Sequence, residues 1–154
     1  MSKDNLGMNP YLKWYSRAVW FGIAWNLAFC LTAWFAPERI LKVMRLQQTA
    51  NNVWLRNVGM LLVLVSMFNA GAAVNPTRYP LYSWFVSIAR LIASFFFFQV
   101  SLSSLRGSTD RPRAFIPLMI FDFSMGVICG ALLHLGLRAE SRFELKKSGR
   151  PRLR

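Results

Sequence analysis

Apolar residues form four long blocks along the chain, and short polar segments separate them. Each block has about 19–23 residues, which at a rise of ~1.5 Å per residue spans a hydrocarbon core ~30 Å thick. Pro37 closes the first block and NPTRYP separates the second from the third, since proline cannot continue a helix. The pattern predicts an all-α integral membrane protein, a bundle of four transmembrane helices within residues 18–137. The predicted spans are residues 18–36, 54–74, 80–100 and 115–137.

The polar segment after the first span has its own periodicity. Pro37 stands at a helix start, with Glu38 in the first turn. Apolar and basic residues then fall on opposite faces, Ile40, Val43 and Met44 against Arg39, Lys42 and Arg45. We expect a short amphipathic helix at 38–48, lying in the membrane interface. A polar loop with chance periodicity is the alternative.

Charge is strongly positive and gathers at the ends of the apolar blocks. The net charge is +13, while 55% of residues are hydrophobic and the mean hydropathy is +0.32. Basic residues that flank apolar runs favour anionic lipid over nucleic acid as the partner. We therefore predict no nucleic-acid binding. The predicted headgroup contacts are Arg39, Lys42, Arg45, Arg56, Lys146 and Lys147.

Orientation follows from the distribution of Lys and Arg. The N-terminal arm (1–17), the turn at 75–80 and the basic tail (138–154) together carry eleven, against seven on the other side, one of them Arg56 at the start of the second span. The positive-inside rule then predicts that both termini are cytoplasmic. The polar arm lacks a cleavage site, so we expect it to be retained, and we expect the tail after Arg138 to be frayed. The predicted inner aromatic belt is Trp14, Tyr15, Tyr79, Tyr82 and Trp84.

The third span has a cation at its centre. Arg90 costs a few kcal/mol in hydrocarbon, roughly 2.5–3.5 on the insertion scale, unless it faces protein or water and finds a partner. Asp122 is the acidic residue of the fourth span, and helical rise places the two within reach in depth. Asn26 of the first span lies at similar depth. We predict an intramembrane polar network of Asn26, Arg90 and Asp122.

This network has two interpretations. As a structural pair it fixes helix register, and removing one partner costs about 3–5 kcal/mol. As a functional group it serves as a proton or anion relay, or as an anchor for a headgroup or a quinone. An acid and a base that neutralise each other make a poor relay, which favours structure.

Small residues mark the helix faces expected to meet, because they allow close backbone approach in lipid. Each span has such a stripe, and Gly126 and Gly130 also form a GxxxG motif. The predicted packing glycines are Gly22, Gly59, Gly126 and Gly130. Four matching stripes predict that the four helices pack together through these faces in one bundle interior.

Other chemistry is sparse in this sequence. His134 is the single histidine and the one candidate cofactor ligand, through a pigment or haem shared with another subunit; packing or a headgroup contact is the preferred interpretation. Cys30 and Cys129 lack redox or zinc spacing and favour packing. The chain has no nucleophile elbow, phosphate loop or HExxH, so no catalytic or metal residue is predicted. No cofactor is predicted, although a lipid or a quinone would suit the bundle.

Several local signatures resemble those of small bacterial four-span membrane proteins, the DoxX-like group. They are Pro37 and Glu38 after the first span, then Trp54, Arg56 and Gly59. The segment AAVNPTRYP is similar to the group's Ala-Ala-x-Asp-Pro-x-x-Tyr turn, with Asn75 in place of Asp. Arg90 and Asp122 match its intramembrane Arg and Asp. The resemblance implies a bacterial inner-membrane protein, and for some relatives a link to thiosulfate or quinone redox complexes.

Three functions are compatible with these features. The first is a non-catalytic accessory subunit of a larger inner-membrane assembly, such as an electron-transfer complex, packed against other integral membrane subunits. The second is a small homo-oligomeric transporter that uses the Arg90–Asp122 pair. The third is a DoxX-like, quinone-linked redox protein. The sequence favours a protein that is not an enzyme.

Overall fold

A computed structural model describes residues 9–44, 53–106 and 115–147 of this chain; at 103–106 and 144–147 it describes the backbone alone. Within these ranges the regular structure is helical throughout, without strands. The helices are α1 (Pro10–Phe35), α2 (Pro37–Val43), α3 (Val53–Val74), α4 (Pro80–Arg106) and α5 (Phe115–Lys147).

Helix boundaries follow from local chemistry. The Asn9 side chain accepts a hydrogen bond from the Tyr11 backbone N–H and caps α1, whose first residue is Pro10. α1 ends at Phe35, before the Pro37 that begins α2. Between α3 and α4, Asn75 Oδ1 accepts from the Arg78 N–H at 3.1 Å, a turn that proline-led α4 follows.

Four helices of the described chain are long and apolar enough to cross a membrane, so the protein is a multi-pass membrane protein. Each of the four candidate spans extends beyond the predicted one, although α3 does so by Val53 alone. The candidate spans are Pro10–Phe35, Val53–Val74, Pro80–Leu102 and Phe115–Phe143.

The first part of the tail continues α5, so the expectation of a frayed tail is wrong up to Lys147. Glu, Leu, Lys and Arg are strong helix formers, and they are frequent between Arg138 and Lys147. Residues 148–154 lie outside the described part of the chain.

The bundle consists of two closely packed pairs. α1 packs along α3 and α4 packs along α5, while α1 and α5 join the pairs. The seam between α3 and α4 is the thinnest of these four interfaces. The main core lies along α1, where Leu12, Tyr15 and Val19 pack with residues that include Cys129 and Leu133 of α5.

The short α2 packs through a face other than the predicted one. Ile40 and Leu41 are buried against Ala33 of α1 and Leu55 of α3, and Met44 packs at the edge of this cluster. Val43, predicted on the apolar face, is 79% exposed. The helix spans Pro37–Val43, and residues 45–48 of the predicted segment lie outside the described residues.

Tyr15 is a core residue, although the sequence pattern placed it in an aromatic belt. Its ring is fully buried, and its hydroxyl donates to the Ser83 carbonyl oxygen at 2.9 Å. The neighbouring Ser16 hydroxyl donates to the Ala73 carbonyl oxygen. These two bonds tie the start of α1 to the α3–α4 turn. Trp14, Tyr79, Tyr82 and Trp84 are exposed.

Candidate functional site: an intramembrane ion pair beside an aromatic cavity

The inward face of α4 is a row of polar side chains. Ser83, Ser87, Arg90 and Ser94 are all buried, in a helix whose other faces carry exposed Phe, Leu and Ile. Two serine hydroxyls donate to backbone carbonyl oxygens, Ser83 to Pro76 at 3.2 Å and Ser94 to Met119 at 3.1 Å. Ser83 and Ser94 therefore satisfy their hydroxyl groups locally, whereas Ser87 Oγ has no hydrogen-bond partner within the described residues. Arg90 is the single charge of this face.

Arg90 and Asp122 form an ion pair inside the bundle. Arg90 Nη1 donates to Asp122 Oδ1 at 2.8 Å, the length of a strong charge-assisted bond. The side chains of Arg90 and Asp122 are 9% and 18% exposed. Opposite charges in contact cancel the local field, so the pair lies in the spanning region as a neutral unit.

Gly22 of α1 makes room for this pair. A Cβ at Gly22 would collide with Arg90 Nη2, since the guanidinium lies against the glycine backbone. The ion pair consequently involves three helices: α4 supplies the cation, α5 the anion and α1 the space. The stripe of small residues on α1 predicts Gly22 at an interface, but its contact with Arg90 emerges only from the structure.

Asn26 has a different partner from the predicted one. Its Nδ2 donates to the Ser66 hydroxyl of α3 at 3.3 Å. Asn26 and Asp122 nonetheless line the same cavity. Two acceptor atoms, Asn26 Oδ1 and Asp122 Oδ2, have no hydrogen-bond partner within the described residues.

The cavity has a volume of about 280 Å³ and lies between α1, α3, α4 and α5. Nearly half of its lining residues are aromatic, with Trp25 and Phe121 at 5.2 Å between ring centroids and Phe97 stacked on Phe115 at 5.8 Å. Trp54 contributes a further aromatic wall. The arrangement is an apolar chamber with a few polar groups, the usual composition of a small-molecule site.

The packing glycines lie at interfaces within the chain. Gly126 contacts Leu91 and the Ser87 carbonyl oxygen of α4, and Gly130 faces Ser87 and Trp84. The GxxxG motif thus packs α5 on α4 and is not free for a partner helix. Gly59 approaches α1, and its carbonyl oxygen accepts from the Cys30 thiol at 2.9 Å.

His134 lies away from the ion pair, on the exposed side of α5. Its ring meets Trp84 edge-on, with 6.4 Å between centroids. Among the described residues there is no group of three or more His, Cys, Asp or Glu that could hold a metal. Within the described residues, the contact of the His134 ring is with Trp84.

The structure describes the side chains of three of the six predicted headgroup residues. Arg39, Lys42 and Arg56 are exposed, and the Arg56 carbonyl oxygen accepts from Trp34 Nε1 at 3.4 Å. Arg45 lies outside the described residues. Lys146 and Lys147 belong to α5, whose backbone alone is described there.

Three polar residues of the interior are absent from the predicted network. Ser66 pairs with Asn26, Tyr15 with Ser83, and Asn69 is buried on α3. Ser66 and Asn69 are polar residues within an apolar span, and this pattern could have indicated that they face the interior. Near Arg90, the buried atoms Arg90 Nε and Ser87 Oγ have no hydrogen-bond partner within the described chain.

No protein-family model, no curated protein and no solved structure matches this chain.

Proposed function

We propose that this protein is a non-catalytic accessory subunit of a larger bacterial inner-membrane assembly, with an electron-transfer complex as the first kind to test. The observation that carries the proposal is the closed ion pair. Arg90 and Asp122 neutralise each other at 2.8 Å and are built into three helices. In this role the Arg90–Asp122 pair stabilises the arrangement of the helices and performs no reaction.

A relay would need an acid or base that gains and loses a proton. The strong bond between Arg90 and Asp122 opposes that, because protonating Asp122 would leave the Arg90 charge without its counter-ion. A transporter that uses the pair would have to break it in every cycle. The geometry therefore supports a structural role over the transporter and redox alternatives.

The outer surface supports assembly with membrane partners. Large apolar side chains cover the outward faces of the spans, for example Phe68, Phe85, Phe95 and Phe96. Such faces contact lipid or other transmembrane helices.

The membrane placement belongs to the same proposal. Both termini lie in the cytoplasm, and α2 lies in the opposite interface with Arg39 and Lys42 directed to lipid phosphate. Their exposure and the burial of Ile40 and Leu41 support this placement.

The test is purification of the tagged protein in mild detergent, with identification of all co-eluting proteins and a visible spectrum of the eluate. We expect integral-membrane partners in fixed stoichiometry, and a haem band if the complex transfers electrons. An unrelated tagged four-span protein from the same membrane is the control. A colourless homo-oligomer without partners would overturn the proposal and favour the transporter.

A further inference from the structure

We propose that the aromatic cavity beside Asp122 binds a neutral amphiphile, whose hydroxyl or phenol head donates a hydrogen bond to the free carboxylate oxygen. This inference is independent of the accessory role, since a site of this kind suits any of the three functions. It rests on the shape of the cavity, its two free acceptors and its charge balance.

The shape matches a ligand with a compact head and an apolar body. Asp122 lies seven residues along α5 from Phe115, and both line the cavity, so the carboxylate is ~10 Å from the helix start at ~1.5 Å per residue. Aromatic rings from four helices enclose the space between these two residues. The volume of about 280 Å³ is close to the lower end, roughly 300 Å³, of ordinary ligand pockets.

The cavity has a neighbour that would hold the rest of a longer ligand. A second space of about 330 Å³ lies under α2 and shares Trp25, Phe29, Met44 and Leu118 with the first. It is lined mainly by apolar side chains, with Thr32 and Arg39 among its polar residues. A ligand with its polar head at Asp122 and its apolar tail in the second space would be an amphiphile.

The polar groups require a hydrogen-bond donor. Asp122 uses Oδ1 for Arg90 and Asn26 uses Nδ2 for Ser66, so each presents its other oxygen as an acceptor without a partner in the described residues. A hydroxyl or phenol group donates to such oxygens. An ether or a ketone of the same size cannot donate and gains no bond.

Charge excludes ionic heads. Arg90 already neutralises Asp122, so an added cation would leave a net positive charge in a region of low dielectric constant. An anion would meet two acceptor oxygens and be repelled. A neutral donor is the head group that leaves every charge paired.

The experiment compares two probes of similar shape, 4-hexylphenol and its methyl ether, which is larger by one methyl group and lacks the hydrogen-bond donor. Purified protein in lipid nanodiscs is dialysed to equilibrium against empty nanodiscs of the same lipid, so that simple partition into lipid cancels. We expect saturable retention of the phenol, about tenfold tighter than the ether, the value of one hydrogen bond to a charged acceptor.

Two matched variants locate the binding. Leu62→Trp fills the cavity from α3 and should abolish the excess retention, whereas Leu61→Trp places the same side chain on the exposed neighbouring position and should leave it unchanged. Asn26→Leu should lower phenol retention more than ether retention. Helix content and elution volume establish that each variant is folded.

The outcomes separate clearly. Equal retention of phenol and ether by the unaltered protein would overturn the proposal and assign the cavity to lipid chains. Unsaturable retention, or phenol binding that persists in folded Leu62→Trp, would overturn it as well. The comparison of the two probes on the unaltered protein needs no variant to fold.

Discussion

The guanidinium of Arg90 lies where a side chain at Gly22 would begin. The cation in the middle of α4 therefore fits because residue 22 of α1 is glycine and has no side chain in that position. The carboxylate of Asp122 holds the same guanidinium at 2.8 Å from its other side. The close approach of Arg90 to Gly22 and the pairing of Arg90 with Asp122 thus position the same guanidinium.

Gly22→Ala should weaken the ion pair because the new methyl group displaces Arg90 Nη2. We expect a loss of about 1.5–3 kcal/mol in unfolding free energy, the value of a hydrogen bond to a charged group. Titration with SDS in mixed micelles, followed by circular dichroism, measures it. Gly71→Ala is the control, since a Cβ there meets nothing within 4 Å and stability should hold or rise. Equal effects of the two would refute the role of Gly22.

Arg90→Met should destabilise the bundle by about 3–5 kcal/mol, because it leaves the Asp122 carboxylate buried without a cation. Arg90→Met combined with Asp122→Leu should recover most of this loss, since an apolar pair of similar size replaces the charged one. The same SDS titration reports both. A folded, fully assembled double variant that has lost its biological activity would show that the pair has a functional role.

Tyr15→Phe should lower stability by about 1 kcal/mol through loss of the buried bond to the Ser83 carbonyl oxygen. The change removes a single oxygen and keeps the ring packed in the core. Tyr82→Phe, on the exposed side of α4, is the matched control and should be neutral. If both variants unfold at the same SDS concentration as the unaltered protein, the Tyr15 hydroxyl contributes nothing to the stability of the α1–α4 contact.

Gly126→Ala and Gly130→Ala should differ, although both belong to one GxxxG motif. A Cβ at Gly126 would lie 2.9 Å from Leu91 and 3.2 Å from the Ser87 carbonyl oxygen, so α4 and α5 must separate at a cost of about 1–3 kcal/mol. At Gly130 the nearest atom is 3.8 Å away, an ordinary contact, and the change should be tolerated. Loss of oligomer without loss of monomer stability in Gly126→Ala would instead place the motif between chains.

Topology is testable with single cysteines in a background where Cys30 and Cys129 are replaced by Ser. We expect Thr77→Cys and Lys147→Cys to react with an impermeant maleimide only after the cytoplasmic side is exposed, because an even number of spans separates each from the N-terminus. Glu38→Cys should react from the opposite side. Labelling of Lys147→Cys in intact cells would show that the orientation is the opposite one.

The sequence predicts the spans and the inward faces well because hydropathy and the few polar residues mark them. Ser83, Ser87, Arg90 and Ser94 are spaced for one helix face, and Asp122 is the acidic residue of an apolar block. The partner of Asn26 was predicted incorrectly, since similar depth does not specify which way a side chain turns. Tyr15 was misassigned because aromatic residues near span ends are typical of interfacial belts. The cavity depends on how rings from four helices pack, which no linear pattern encodes.

The order of the two charges along the chain has a consequence for biogenesis. α4 leaves the ribosome before α5, so the insertion machinery meets Arg90 while its counter-ion is still unmade. The apolar remainder of α4 must offset that cation alone, at roughly 2.5–3.5 kcal/mol, until Asp122 arrives. The hairpin of α4 and α5 is thus the smallest part of the chain in which the Arg90 charge is paired, and a nascent chain halted between the two helices leaves that charge unpaired.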